Sequence, residues 1–362
     1  MSTNSFKIAV MPGDGIGVEV MDACLVVLEA VGKKIGGPGL DLQHVPGGAG
    51  HYRDHGTDLP DESFEAARAA DAILFGAMGL PDVRKTDGTE INPQLDLRFG
   101  LELYAGVRPV RVLPGAPTPL ADPRAREIDL VLIRENTEGL FADIRKPRKD
   151  NRLEAEDRCL ITRKGSVRVI EYAFKLAETR SRTRTDARRV TCVDKANVLH
   201  SMAFFRSIFD EVRLKHETVG ADYGYVDAMA LNLVKRPWDY DVMVMENLLG
   251  DILSDLTAGI VGGLGMAPSG DIGDKHALFQ PSHGSAPDIA GQGLANPVAM
   301  FLSAAMMLTW LGNEHGENHA VEAGALLEDA VTKAFAEGTL KPSEFGGPHG
   351  TRHITQAVLD KI

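Results

Sequence analysis

Apolar and polar positions along the first 110 residues follow two different periods. Lys7–Met11 is a short apolar run of strand length. After the turn residues Pro12-Gly13-Asp14-Gly15-Ile16-Gly17, the pattern from Val18 to Val31 has the spacing of an amphipathic helix. Leu42–Val45 reads as a second strand, Ser63–Ala69 as a helix, and Ala72–Gly76 as another apolar run closed by glycine. A middle section opens near Val107, where β-branched runs at Ile128–Ile133, Arg189–Val193 and Asp241–Met245 are separated by helical patterns at Lys164–Thr179, Val198–Phe209 and Asp227–Lys235. The last third becomes rich in glycine and alanine, then helical at Pro297–Leu311, Ala320–Glu337 and Thr351–Lys361. Strands alternating with helices predict an α/β fold with a mostly parallel sheet covered by helices.

Composition narrows the classes. A length of 362 residues suggests two domains or one large one, and 44 % hydrophobic with 25 % charged residues suits a globular protein with a sizeable core. No apolar run approaches the roughly 18 residues that a membrane span needs. The opening MSTNSFKIAVMPGDG enters a strand at once and lacks the regions of a signal peptide. Cys24, Cys159 and Cys192 are few and far apart, which reads as reduced thiols and points to the cytoplasm. A net charge of −12 argues against a nucleic-acid or anionic-membrane surface. Basic residues nevertheless cluster at Arg145–Arg152 and Arg180–Arg189, as solvated segments or as grips for an anion.

The loop Gly13-Asp14-Gly15-Ile16-Gly17 sits between a strand and a helix, where a phosphate-binding loop would sit. The dinucleotide fingerprint requires G-x-G-x-x-G and an acid closing the next strand. Here the third glycine comes one residue early and His44–Val45 closes the strand, so a tight turn near a ligand is expected rather than a pyrophosphate cradle.

Four segments taken together carry more information than any one alone. They are Leu97-Arg98 with Arg108-Pro109; Arg134-Glu-Asn-Thr-Glu-Gly139; Asp194-Lys-Ala-Asn197; and Glu246-Asn-Leu-Leu-Gly-Asp251-Ile-Leu-Ser-Asp255, preceded by Tyr225-Val-Asp227. Three arginines outside charged runs can clamp two carboxylates, because the guanidinium fork matches a carboxylate and stays charged. Singly, each arginine would be expected to cap or pair locally. Asp251 and Asp255 lie four apart and share one helix face. By itself such a pair is a common solvated cap. With Asp227 as a third oxygen donor and no thiol nearby in sequence, it suits a hard cation, Mg²⁺ or Mn²⁺.

These segments resemble the β-decarboxylating dehydrogenase family, which comprises the isocitrate, homoisocitrate, 3-isopropylmalate and tartrate/D-malate dehydrogenases. The resemblance runs from VMPGDGIG to the late His283-Gly-Ser-Ala-Pro-Asp-Ile-Ala-Gly291 and Ala295-Asn-Pro297. It implies the two-lobed isocitrate/isopropylmalate dehydrogenase-like fold, which is not a Rossmann fold. Residues 1–103 with 262–362 would form the cofactor lobe, and 104–261 the metal, substrate and dimerisation lobe. Arg98, Arg108 and Arg134 match the substrate-carboxylate arginines, and Lys195 the lysine that receives the hydroxyl proton. Asn197 lies near the nicotinamide, and Asp227, Asp251 and Asp255 match the metal carboxylates. The motif His283, Gly284, Ser285, Ala286, Asp288, Ile289 forms the cofactor site, with His283 and Asn296 on the adenine side. Asp288 matches the acid that accepts from the ribose hydroxyls. NADP users in the family carry lysine and tyrosine at the positions of Asp288 and Ile289, so NAD is implied. Lys195 and Asp227 reach the neighbouring subunit's site in such dimers, which implies a homodimer. The implied reaction moves a hydride from C2 to NAD and the hydroxyl proton to a base, then loses CO₂ from C3 beside a divalent metal.

The sequence departs from the family in two respects. Its tyrosine seven residues after the third arginine, which protonates the enolate carbon, is replaced by Phe141. Water or Lys195 then takes that role at reduced rate, the reaction stops at the keto acid, or the chain is a regulatory subunit; the retained arginines, lysine and aspartates disfavour the last. Asn92 and Gln94 occupy positions that face the substrate's variable group, where isopropylmalate enzymes place leucines. A buried amide facing an isopropyl group would lack a partner, so a polar or small substituent is expected, as in isocitrate, tartrate or malate. The alternative is that both amides only solvate the loop. A dehydrogenase of the same fold acting on a phosphorylated substrate is a further rival.

Overall fold

The computed structural model describes residues 5–37, 39–144, 146, 153–180 and 188–362. Of the two basic clusters, Arg145–Arg152 lies outside the described residues apart from Lys146, and Arg180–Arg189 apart from Arg180, Arg188 and Arg189.

The chain begins with β1 (Phe6–Gly13), α1 (Ile16–Ile35), β2 (Leu40–His44), α2 (Ala49–His55), α3 (Asp61–Ala69), β3 (Ala72–Ala77) and α4 (Pro93–Gly100). There follow β4 (Ala105–Arg111), β5 (Asp129–Glu135), α5 (Arg163–Arg180), β6 (Arg189–Asp194), α6 (His200–Arg213), β7 (Gly220–Tyr225), α7 (Val226–Lys235), β8 (Val242–Met245) and α8 (Asn247–Ile260). The last section holds β9 (Pro268–Ile272), β10 (Ala277–Pro281), α9 (Val298–His315), α10 (Asn318–Ala336) and α11 (Thr351–Leu359).

The chain divides into two compact units. The first comprises the residues up to Glu102, Val112–Pro119 and Val261–Ile362. Its strands lie in the order β2-β1-β3-β10-β9, parallel except for β9 against β10. That order differs from the dinucleotide-binding arrangement 3-2-1-4-5-6, as the irregular glycine loop suggested. Helix α9 is apolar on nearly every side and supplies the centre of this unit's core, with Val298, Met300, Phe301, Ala304 and Leu311 fully or almost fully buried. Val112–Pro119 packs here, although the reading from sequence placed it in the middle lobe. Buried Leu113 and Ala116 anchor it, and an eight-residue excursion of this kind leaves no periodic signal.

The second unit comprises Leu103–Arg111 and Leu120–Ile260. Its strands lie in the order β4-β5-β8-β6-β7, with only the β4–β5 pair antiparallel. Strands β5 and β8 are buried along most of their length, which explains their continuous apolar runs. The five-residue β9, Pro-Ser-Gly-Asp-Ile, has no apolar alternation and is a strand because β10 pairs with it from Pro268 to Ile272. No helix among the described residues is long and apolar enough to cross a membrane. Cys24, Cys159 and Cys192 form no disulfide.

Candidate active site

In the second unit, strand β5 delivers Arg134 at its carboxyl end, and the antiparallel register sets Arg134 opposite Gly106 on β4. Two positions further along β4 stands Arg108. Both arginines are buried, at 5 % and 6 % exposure, so each requires anionic or carbonyl neighbours. Arg134 finds them on α8, where Asn247 Oδ1 accepts from its Nε at 3.0 Å and Nη2 at 2.7 Å, and Asp251 pairs with Nη1. Asp255 lies one helical turn beyond Asp251. Desolvation and the Asp251 charge push its carboxyl above the usual range, while Arg108 and Arg134 pull it back. Phe141 sits in the turn after β5 with its ring centroid 5.5 Å from the Arg134 guanidinium carbon.

Lys195 and Asp227 come together from different elements. Lys195 follows the last residue of β6, and Asp227 opens α7 just after β7. Lys195 Nζ donates to Asp227 Oδ1 at 2.6 Å, and this bond holds the Asp227 carboxyl below its ordinary range. The residue before the lysine, Asp194, is wholly buried. Arg206 meets it with two bonds of 2.7 Å and stacks on Tyr223 and Tyr225, so the strand ends that carry Lys195 and Asp227 share one brace. Asn197 is exposed in the turn that follows Lys195.

The three aspartates expected to hold a metal are not gathered within one chain. Among the described residues, no three His, Cys, Asp or Glu side chains are grouped to hold a metal ion. Asp251 and Asp255 form a hard-oxygen pair whose mutual repulsion a divalent cation would relieve, so these two fit the group. Asp227 is instead bonded to Lys195.

The first unit carries the remaining candidates. Arg98, at the end of α4, is 7 % exposed, and its Nε donates at 2.8 Å to Asp271 on β9, which is fully buried. Asp271 also accepts from Gln280 at 3.1 Å. Asn92 precedes α4 and accepts from Gln94 Nε2 at 3.2 Å, so the two amides pair with each other.

The segment from His283 to Gly291 is seated on the first glycine loop. Ile16 N–H donates to the Ser285 carbonyl at 2.8 Å, and Ser285 Oγ donates to the Gly79 carbonyl. Gly15 has φ +55°, and a side chain there would run into the Ser285 carbonyl, so glycine is required. Asp14, 6 % exposed, braces the bed by accepting N–H bonds from Ala49 at 2.7 Å and from Gly50 and Gly79 at 2.8 Å. The glycine loop therefore supports the segment from His283 to Gly291 through packing.

His283 tests whether an adenine fits. Its Nδ1 lies 2.9 Å from the Gly284 carbonyl, which can only accept, so Nδ1 carries the proton and Nε2 is an acceptor. Nε2 is buried without a partner, and desolvation holds the ring's pKa down, which keeps it neutral. A buried lone pair of this kind suits an adenine amino group. Gly284 and Asp288 are exposed, Ile289 is half-buried, and Ala286 holds φ +35° in the turn between them. Asn296 faces inward: its Nδ2 donates to Glu344 at 2.9 Å and its Oδ1 accepts from Val298 N–H at 3.3 Å, at the start of α9. Asp14, Asp194, Arg206, Asn247 and Asp271 were not singled out from sequence, because their roles depend on elements distant in the chain.

The isocitrate/isopropylmalate dehydrogenase family model matches residues 7–362. A homoisocitrate dehydrogenase of Methanocaldococcus jannaschii is 38 % identical over 98 % of this chain and 97 % of its own length. A 3-isopropylmalate/3-methylmalate dehydrogenase of the same organism is 40 % identical over 98 % of both chains. The crystal structure of isocitrate dehydrogenase from Methylococcus capsulatus superposes with a TM-score of 0.83 at 34 % identity, covering 98 % of this chain and 99 % of that one. With matches of this extent, and the arginines, lysine and aspartates placed as described, the chain belongs to the isocitrate/isopropylmalate dehydrogenase family.

Proposed function

We propose that this protein is an NAD-dependent, divalent-metal-dependent dehydrogenase that oxidises and decarboxylates a malate-type 2-hydroxy diacid of the isocitrate, tartrate/D-malate or 3-isopropylmalate class. The observation that carries the proposal is the pair of buried arginines, Arg108 and Arg134, beside the Asp251–Asp255 pair on α8. Arg108 and Arg134 bind the substrate's carboxylates. Lys195 takes the hydroxyl proton: once its own proton has passed to solvent, its Nζ can accept the next, while Asp227 holds Nζ in place. Asp251 and Asp255, with Asp227 of a second copy, would hold Mg²⁺ or Mn²⁺, which would polarise the C2 oxygen, and NAD would supply the acceptor for the hydride that leaves C2. His283, Ser285 and Asp288 line the NAD site, and an acid at Asp288 disfavours a 2′-phosphate.

Phe141 supports a second reading. Its ring lies beside Arg134 and carries no hydroxyl, so protonation of the carbon that loses CO₂ falls to water or Lys195. Oxidation then outpaces decarboxylation and keto acid accumulates. The regulatory-subunit reading fares worse, because an inactive chain has no need of buried arginines facing a carboxylate pair.

Gln94 Oε1, buried without a hydrogen-bond partner, favours a polar or small substituent on the substrate. Exposed apolar side chains on the second unit, Val198, Leu231, Val234 and Ile252 at 48–65 % exposure, favour a homodimer. The unpaired thiols fit a reducing compartment such as the cytoplasm. A panel of isocitrate, homoisocitrate, 3-isopropylmalate, D-malate and tartrate, with NAD and Mn²⁺, tests the proposal by NADH formation. Silence across the panel refutes it.

A further inference from the structure

Helix α8 opens with Asn247 and carries Gly250 and Asp251 three and four positions later, so the three share one face. That face lies against Arg134. Asn247 Oδ1 accepts from both Nε and Nη2 of the guanidinium, at 3.0 and 2.7 Å, and its Nδ2 donates to the Glu138 carbonyl at 3.1 Å. A Cβ on Gly250 would stand 2.6 Å from Arg134 Cγ, so the helix backbone touches the arginine stem. Asn247 is 2 % exposed. The preceding Glu246 fixes the start of the helix by accepting N–H bonds from Leu140 at 3.0 Å and Leu248 at 3.1 Å.

We infer that Asn247 is a positioning residue for substrate binding: its amide sets the plane of the Arg134 guanidinium and ties that plane to the main chain leading to Phe141. The inference rests on Arg134 contacting a substrate carboxylate, as proposed above. An arginine side chain has several rotatable bonds, and its fork gives two parallel bonds to a carboxylate only when its plane is already turned to receive one. An amide suits the task better than a carboxylate. It accepts both N–H groups without adding a second carboxylate to the one Asp251 already brings, and its own N–H₂ reaches the main chain at the same time.

The test compares Asn247→Leu, which keeps the volume and deletes the amide, with Asn247→Asp, which keeps the acceptor, adds a charge and loses the bond to Glu138. The probe is whichever of isocitrate, 3-isopropylmalate, D-malate and tartrate gives the parent its highest kcat/KM. In Asn247→Leu the KM for that diacid should rise about 10- to 100-fold, with kcat within about threefold and the KM for NAD unchanged. The Kd measured by calorimetry without NAD should move with it. Asn247→Asp should also raise KM; an acid in the first helical turn is favourable, so this variant decides if the leucine variant does not fold. A lowered thermal midpoint with parental KM would mean a purely structural role and overturn the inference. Arg134→Gln separates the two levels. If it raises KM and neither Asn247 variant does, the inference alone fails; if Arg134→Gln leaves KM unchanged, the substrate role of Arg134 fails and the inference falls with it.

Discussion

At the scale of single residues, the proposed chemistry depends on a few charged groups held in place by buried neighbours. Lys195→Met removes the proton acceptor and should abolish turnover while leaving NADH binding, followed by fluorescence, at the parental level; an unaffected rate would remove Lys195 from the mechanism. Phe141→Tyr supplies the missing hydroxyl beside Arg134. It should raise the rate of CO₂ release on the order of 10²-fold where that proton transfer limits, measured as CO₂ formed per NADH. An unchanged ratio would show that Phe141 is no handicap. Glu135, next to Arg134 and 3 % exposed, accepts bonds from Thr137 N–H and Oγ and from Glu138 N–H, yet desolvation pushes its carboxyl up to about 7. A raised folded-state value means that the folded protein binds the proton more tightly than the unfolded chain. This group's contribution to stability therefore falls as pH climbs from about 4.5 to about 7, by up to roughly 3 kcal/mol. Urea unfolding should show the stability of Glu135→Gln gaining on the parent between pH 5 and pH 8. A gap that does not vary with pH would contradict this.

At the scale of elements, strand ends and helix starts do the positioning. β5 ends at Arg134 and Glu135, β6 ends just before Lys195, and α7 and α8 begin with Asp227 and Asn247 within their first two residues. Arg206 is the structural counterpart of these groups, since it neutralises the wholly buried Asp194. Arg206→Met would leave that carboxylate buried and unpaired and should destabilise the fold by about 3–5 kcal/mol in denaturant unfolding. A loss below about 1 kcal/mol would show that the pair is not a brace. The strands read from apolar runs, such as Ile128–Ile133 and Asp241–Met245, lie within or across β5 and β8, because fully buried strands must be apolar. The arginines, lysine and aspartates were picked out only through the family resemblance, because singly each reads as a local ion pair or a solvated cap. β9 was not legible, because Pro-Ser-Gly-Asp-Ile becomes a strand only through pairing with β10; with it went Asp271, the partner of Arg98. Asn247 lay inside a recognised motif, yet its contact with Arg134 depends on how α8 packs on β5. Likewise the role of Asp14 depends on three separate loops meeting at one carboxylate.

At the scale of the whole molecule, the proposed shared site needs two copies. Lys195 and Asp227 are bonded to each other and not grouped with Asp251 and Asp255, while apolar side chains of the same unit stay exposed. If each site combines Asp251 of one copy with Lys195 of the other, two inactive variants should complement. Unfolding and refolding Lys195→Met together with Asp251→Asn should restore about a quarter of parental activity, since half the dimers are mixed and one of their two sites is intact. No recovery in refolded dimers would place each site within one chain. The central claim, oxidation of a 2-hydroxy diacid by NAD at a metal-dependent site, is tested most directly by following NADH and CO₂ together across the diacid panel, with and without Mn²⁺. The account predicts metal-dependent NADH formation with at least one diacid, and CO₂ lagging behind it in the presence of Phe141. NADH formation with none of them would contradict it.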